Sequence, residues 1–119
     1  MATDTAGDAG ITTTSEPLHI NGHSKLDEIV AEHDVVLTDF YADWCGPCQM
    51  LEPVVEHLAV ETNAAVAKVD VDANQQLASV YGVRGVPTLI LFADGGQVEE
   101  IVGVQGEEQL RSLIGRYTE

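Results

Sequence analysis

Cys45 and Cys48 are the only two cysteines in the chain, and Gly46 and Pro47 separate them directly after its only tryptophan, Trp44. An apolar run precedes the pair and a helical pattern follows it, so the two cysteines are expected on one face of a first helical turn. Their Cα atoms would then lie roughly 5–6 Å apart, within disulfide range. Pro47 suits that place, because a first turn does not need its missing N–H and its fixed φ is already helical. Cys45 falls at the positive end of the helix dipole, which favours thiolate over thiol and marks it as the nucleophile. Three other readings compete with a thiol–disulfide redox centre. A zinc site would have to recruit from His19, His23, His33 and His57, none of them at finger-like spacing from the pair. A purely structural disulfide would close a very small ring and remove little chain entropy, and such bonds belong to oxidising compartments. Chance pairing of two buried, inert thiols is the third.

Two more residues are out of place in ways that bear on chemistry. Val35-Val36-Leu37-Thr38-Asp39-Phe40-Tyr41 is a near-continuous apolar run with β-branched enrichment, as expected of a central strand covered on both faces. Alternation puts Asp39 on the face of Val35, Leu37 and Tyr41, so its carboxyl should be buried and hold its proton to unusually high pH, unless it escapes to solvent at the strand end. Such a group beneath the second cysteine could serve as an acid–base partner. Lys68 interrupts the next strand, Ala65 to Val71, in the same manner; it either reaches solvent at the strand end or pairs with Asp39 across neighbouring strands.

The remaining pattern supplies the frame. Leu18-His19-Ile20 is a short strand. Ser24-Lys25-Leu26-Asp27 reads as a capping box for a helix over about 24–33 that carries Leu26, Ile29, Val30 and His33 at helical spacing. After the cysteines, Leu51, Val54, Val55, Leu58 and Ala59 define one face of a helix running to about Thr62, with Pro53 expected to kink it and His57 on its polar side. A helix between two parallel strands makes a right-handed βαβ unit. A short helix around 74–81 turns Leu77, Val80 and Tyr81 inward; a strand from Val86 to Phe92 follows the loop 82–85, and Asp94-Gly95-Gly96 turns it back into an antiparallel strand, 97–104. Leu110, Leu113, Ile114 and Tyr117 then lie on one face of a last helix, about 106–117.

Phe40-Tyr41-Ala42-Asp43-Trp44-Cys45-Gly46-Pro47-Cys48 resembles the active-site signature of the thioredoxin family, and the chain is similar to that family from about Leu18 to Tyr117. Asp39, Lys68, Arg84-Gly85-Val86-Pro87-Thr88 and Gly103 extend the match. The resemblance implies an α/β thioredoxin fold, a mixed sheet of four to five strands flanked by about four helices. It implies a protein disulfide reductase with Cys45 as attacking thiolate, Cys48 as resolving thiol, Asp39 helping to deprotonate Cys48, and Lys68 paired with Asp39. It further implies a cis Val86–Pro87 bond facing the cysteines, with the Val86 backbone pairing with an extended client segment by strand addition. Trp44, Gly46, Pro47, Val86, Pro87 and Gly103 would form the apolar docking rim. Expected partners are disulfide-containing client proteins and a thioredoxin reductase; no cofactor beyond the cysteine pair is implied.

Gly-Pro between the cysteines favours a reductant, since the Pro-Tyr of glutaredoxins and the Gly-His or Pro-His of oxidases and isomerases are absent. Two departures stand out: Gln49 replaces a frequent lysine, which leaves the Cys45 thiol with one fewer positive neighbour, and Tyr41 replaces a frequent tryptophan. A non-catalytic scaffold or holdase is the rival function, although a chain selected only for that would not need both thiols.

The 119 residues fit one domain with a modest core of its own, 18–119, preceded by a polar segment 1–17 expected to be a flexible tail. Twenty Asp and Glu against five Lys and Arg give a formal charge of −15, with Lys25 and Lys68 the only lysines. Such a surface repels nucleic acid and anionic membrane. The carboxylates run from Asp4 to Glu119 rather than in one block, which points to a surface adapted to the high salt of an extreme halophile, not to an acidic tail. No apolar run approaches a membrane span, and the N-terminus shows neither the basic residues nor the apolar stretch of a secretory signal. A reducing cytoplasm is the expected setting, and a monomer the expected state because no second apolar stripe is left over.

Overall fold

The computed structural model describes residues 16–118. The expected flexible tail therefore lies outside the described residues, apart from its last two positions. Among the described residues the elements run β1 (Leu18–His19), α1 (His23–Glu32), β2 (Val35–Tyr41), α2 (Gly46–Glu61), β3 (Ala65–Asp70), α3 (Gln75–Val80), β4 (Thr88–Ala93), β5 (Gly96–Val102) and α4 (Glu107–Gly115). The five strands form one sheet in the order β1-β3-β2-β4-β5, so the strand that leads into the cysteines is the central one. β1 and β2 both run parallel to β3, while β4 is antiparallel to β2 and to β5. This is the mixed sheet with flanking helices that the hydrophobic pattern and the resemblance implied.

Period-two alternation distributes the apolar side chains over both faces. Val36 and Phe40 of β2, Val69 of β3 and Ile90 of β4 meet Leu26, Ile29 and Val30 of α1 and Leu77 of α3 in one core layer. Val35 and Leu37, Val66, and Leu89 and Leu91 meet Leu51, Val55 and Leu58 of α2 and Leu110 and Ile114 of α4 in the other. Asp39 and Lys68 follow Leu37 and Val66 by two residues, so both belong to the face covered by α2.

Several local expectations are corrected. The first helix does not begin with a capping box: Gly22, at φ 92°, is its N-cap without any side-chain cap, and Ser24 lies inside the helix. The left-handed backbone that glycine tolerates turns the chain into the helix early. Gly22 N–H donates instead to Asn74 Oδ1 at 2.8 Å, which ties α1 to the start of α3. Val80 points outward and is 60% exposed, because α3 is only six residues long and has one buried edge, Leu77 and Ala78. Val54 is half-buried, packed at the margin of its layer rather than within it. β4 starts at Thr88, after the Val86–Pro87 peptide, which is cis as the family resemblance implied. The β4–β5 turn has the two-residue form, with Asp94 at φ 53° and Gly95 at φ 87°, both left-handed as a primed turn demands.

Candidate active site

The cysteine pair stands where β2 gives way to α2. Cys45 is the N-cap of α2, and its Sγ accepts a hydrogen bond from Cys48 N–H at 3.2 Å. Sulfur thus satisfies one of the N–H groups a helix start leaves open, and the same N–H, together with the helix dipole, would hold a Cys45 thiolate. The two cysteines form a disulfide with a Cα–Cα separation of 5.2 Å, as their spacing predicts. Gly46 opens the helix and Pro47 occupies its first turn, where no N–H is missed.

Around this pair the fold gathers the residues singled out from sequence. Ala42, Cys45 and Cys48 form one buried cluster against which Tyr41, Val71 and Val86 pack, so the loop before β4 adjoins the redox pair. Thr88 Oγ1 donates to Gly85 C=O at 2.7 Å and Gly103 N–H donates to Pro87 C=O at 2.8 Å. The second bond brings Gly103 to the Pro87 loop from the far end of β5, and its φ of 95° explains why the strand ends at Val102. Trp44 is 71% exposed, yet its indole N–H donates to Asp72 Oδ2 at 2.8 Å. With Val71, Val83, Arg84, Gly85 and Val86, Trp44 lines a shallow cleft of about 140 Å³. Gln49, in place of the frequent lysine, is turned to the Asp43 carbonyl, to which its amide donates at 3.1 Å.

Asp39 is buried, 1% exposed, and neither of its carboxylate oxygens has a hydrogen-bond partner among the described residues. Burial pushes its pKa from 3.8 up to about 7; Lys68 opposes that rise and Glu52 adds to it. Asp39 and Lys68 are register partners on adjacent strands, but they do not form the expected ion pair. The Lys68 ammonium binds Glu52 of α2 instead and sits over the Tyr41 ring, 4.4 Å from its centroid. The physical reason is that Glu52 is partly open to water, whereas Asp39 would have to ionise inside the core.

Sequence reading missed Glu52 and Asp72. Glu52 carried a signal: it lies four residues after Cys48, one helical turn on, beside the apolar positions of α2. Asp72 carried none, since only tertiary contact brings it to Trp44. Of the histidines, His33 closes α1 by bonding the Ile29 carbonyl at 3.0 Å, and His57 is exposed and meets Glu107 at 3.2 Å. Among the described residues no group of three or more His, Cys, Asp and Glu is arranged to hold a metal ion.

Residues 18–116 match the family model described as Thioredoxin. The chain belongs to the thioredoxin family. A thioredoxin of Chlamydia pneumoniae is 45% identical over 94 residues, covering 78% of this chain and 91% of its own length. One of Mycobacterium bovis is 43% identical over 98 residues, covering 81% of this chain and 84% of its own. Among solved structures, an N21Q mutant thioredoxin from Halobacterium salinarum NRC-1 superposes with a TM-score of 0.88 at 67% identity, covering 90% of this chain and 95% of that one. Thioredoxin from Schistosoma mansoni superposes at 0.80 with 28% identity, covering 89% and 99%. Family membership, with the cysteine pair at disulfide distance, makes this chain a thiol–disulfide oxidoreductase, a protein disulfide reductase. The family acts on disulfide-containing substrates and is reduced in turn by thioredoxin reductase.

Proposed function

We propose that each turnover begins when the Cys45 thiolate attacks one sulfur of a client disulfide, forming a mixed disulfide and releasing the other client sulfur as a thiolate that takes up a proton. Cys48, its proton passing to Asp39, then attacks Cys45 Sγ, closes the Cys45–Cys48 disulfide and releases the second client thiol. Counting the Cys45 proton lost on forming the thiolate and the Cys48 proton that Asp39 then gives up, the client gains two electrons and two protons and this chain loses as many. The observation that carries this reading is the position of Cys45 at the N-cap of α2, with Cys48 N–H directed at its sulfur.

Clients dock on the rim formed by Trp44, Gly46, Pro47, Val86, Pro87 and Gly103. The packing of Val86 against the cluster that holds the cysteines and the bond between Gly103 and Pro87 support a continuous surface there. Lys68 acts on the site through Asp39 and Glu52, without touching the client. The cysteine pair is the sole redox group, and no metal or organic cofactor takes part. The protein works as a cytoplasmic monomer of a halophile; the charge of −15 and the likeness to a Halobacterium salinarum thioredoxin support the last point.

The test is reduction of insulin disulfides driven by dithiothreitol in molar KCl, wild type beside Cys45→Ser. Turnover by the wild type and none by the variant is the expected result. A folded wild type without turnover would sink this reading and favour a scaffold role.

A further inference from the structure

Glu52 has no part in the sequence of steps above, yet it is where the charge balance of the site is decided. It stands one helical turn after Cys48 on α2, and its carboxylate is half open to solvent while that of Asp39 is sealed in. Lys68, 4% exposed, is placed by strand register beside Asp39 and yet delivers its ammonium to Glu52. A buried cation within reach of two carboxylates can satisfy one of them well, and the unpaired one is then the stronger base.

We propose that Glu52 is a positioning residue for the resolving step: it draws the Lys68 ammonium away from Asp39 and so leaves Asp39 free to take up the Cys48 proton. The inference rests on the reading of Asp39 as the acceptor for Cys48. Among the described residues few titratable groups act on Asp39. Lys68 comes from β3, Glu52 from α2, and the Tyr41 hydroxyl from β2 itself. Asp43 and Asp70 act on Tyr41 at the outer margin of the same cluster. Lys68 is the only cation among them, so the carboxylate it serves determines how readily Asp39 binds a proton.

Replacing Glu52 by glutamine keeps the size of the side chain and removes its claim on Lys68. The ammonium then turns to Asp39, its partner in register, and favours the ionised carboxylate. Two readouts separate this inference from the one beneath it. The first is direct titration of the Asp39 carboxyl in the oxidised protein, by carbon NMR or difference infrared spectroscopy. Glu52→Gln should lower its midpoint by about one pH unit or more, the range expected when an opposite charge moves within ~4–6 Å. An unchanged or raised midpoint overturns the inference.

The second is the pH dependence of mixed-disulfide resolution, followed by Trp44 fluorescence under single-turnover conditions. Its midpoint should move with that of Asp39. If the carboxyl midpoint moves and the resolution profile does not, the role of Asp39 toward Cys48 falls and the positioning role of Glu52 falls with it. If neither moves, Glu52 alone is at fault. Lys68→Met supplies the control and a second route should the single variant fold poorly. With no cation to redirect, Glu52→Gln should shift the Asp39 midpoint less than half as far in that background. An equal shift in both backgrounds would show Glu52 acting only through its own charge, and would overturn the proposal.

Discussion

At the scale of single residues, one carboxyl of the site is held where carboxylates are disfavoured. Asp39 sits in the α2-facing core layer without a hydrogen bond, and its pKa of about 7 against an ordinary 3.8 is a cost to the fold. The sign follows from linkage. An acid whose folded pKa is raised binds more protons in the native state, so it lowers stability progressively as pH rises from about 4 to about 7. Below that window the effect vanishes, and above it the cost is constant. Asp39→Asn should therefore stabilise the protein by on the order of 4 kcal/mol at pH 8 and by little at pH 4, at about 1.4 kcal/mol for each pKa unit. Urea unfolding of both proteins across that range, in molar KCl, measures it; a difference independent of pH would contradict the assignment. On the role proposed for Asp39, the gain in stability should come with slower release of the mixed disulfide.

The element that carries most of the architecture is α2. It begins directly after its N-cap Cys45, crosses between β2 and β3, and buries Leu51, Val55 and Leu58 completely against the sheet. Its other side is free: Met50 and Val60 are 68% and 63% exposed. Truncating a fully enclosed residue leaves a cavity, so Leu58→Ala should cost roughly 2–5 kcal/mol. Val80→Ala, on the open side of α3, should change stability by less than about 0.5 kcal/mol, although helical spacing alone ranks the two positions together. Equal losses in urea unfolding would mean that α3 is packed differently from the arrangement described above. α2 also carries Glu52, which extends from the same helix that Cys45 caps and whose first turn holds Cys48.

For the whole molecule, the dominant quantity is charge. A formal −15 on 119 residues is a large self-repulsion in dilute buffer. Few opposite charges offset it: Arg111 reaches Glu61 and Glu107 at 2.7 and 2.8 Å, and Lys25 reaches Glu28 at 3.4 Å. Surface pairs of that kind contribute little. Raising salt from 0.1 M to 1 M shortens the Debye length from about 10 Å to about 3 Å, which should relieve most of the repulsion. The melting temperature should rise by roughly 10 °C or more over that range, given several degrees for each kcal/mol in a domain this small. Thermal unfolding followed by circular dichroism at graded KCl reads this directly, and a flat profile would remove the halophilic reading.

The sequence by itself determined the redox pair, the strand–helix frame and the burial of Asp39. Each of these follows from local spacing: cysteines three apart before a helical stripe, alternation along β2, and a carboxyl in an apolar run. Through resemblance it also suggested a docking rim. It did not determine the start of α1, where Asn74 captures the Gly22 N–H, or the outward turn of Val80 on so short a helix. Nor did it decide the partner of Lys68. Register sets Lys68 beside Asp39, and alternation alone would pair them. Only the packing of α2 over that face brings in Glu52, a carboxylate that keeps contact with water while it binds the cation. Spacing along one element is written in the chain, whereas competition between two carboxylates for one ammonium exists only once three elements have been assembled around it.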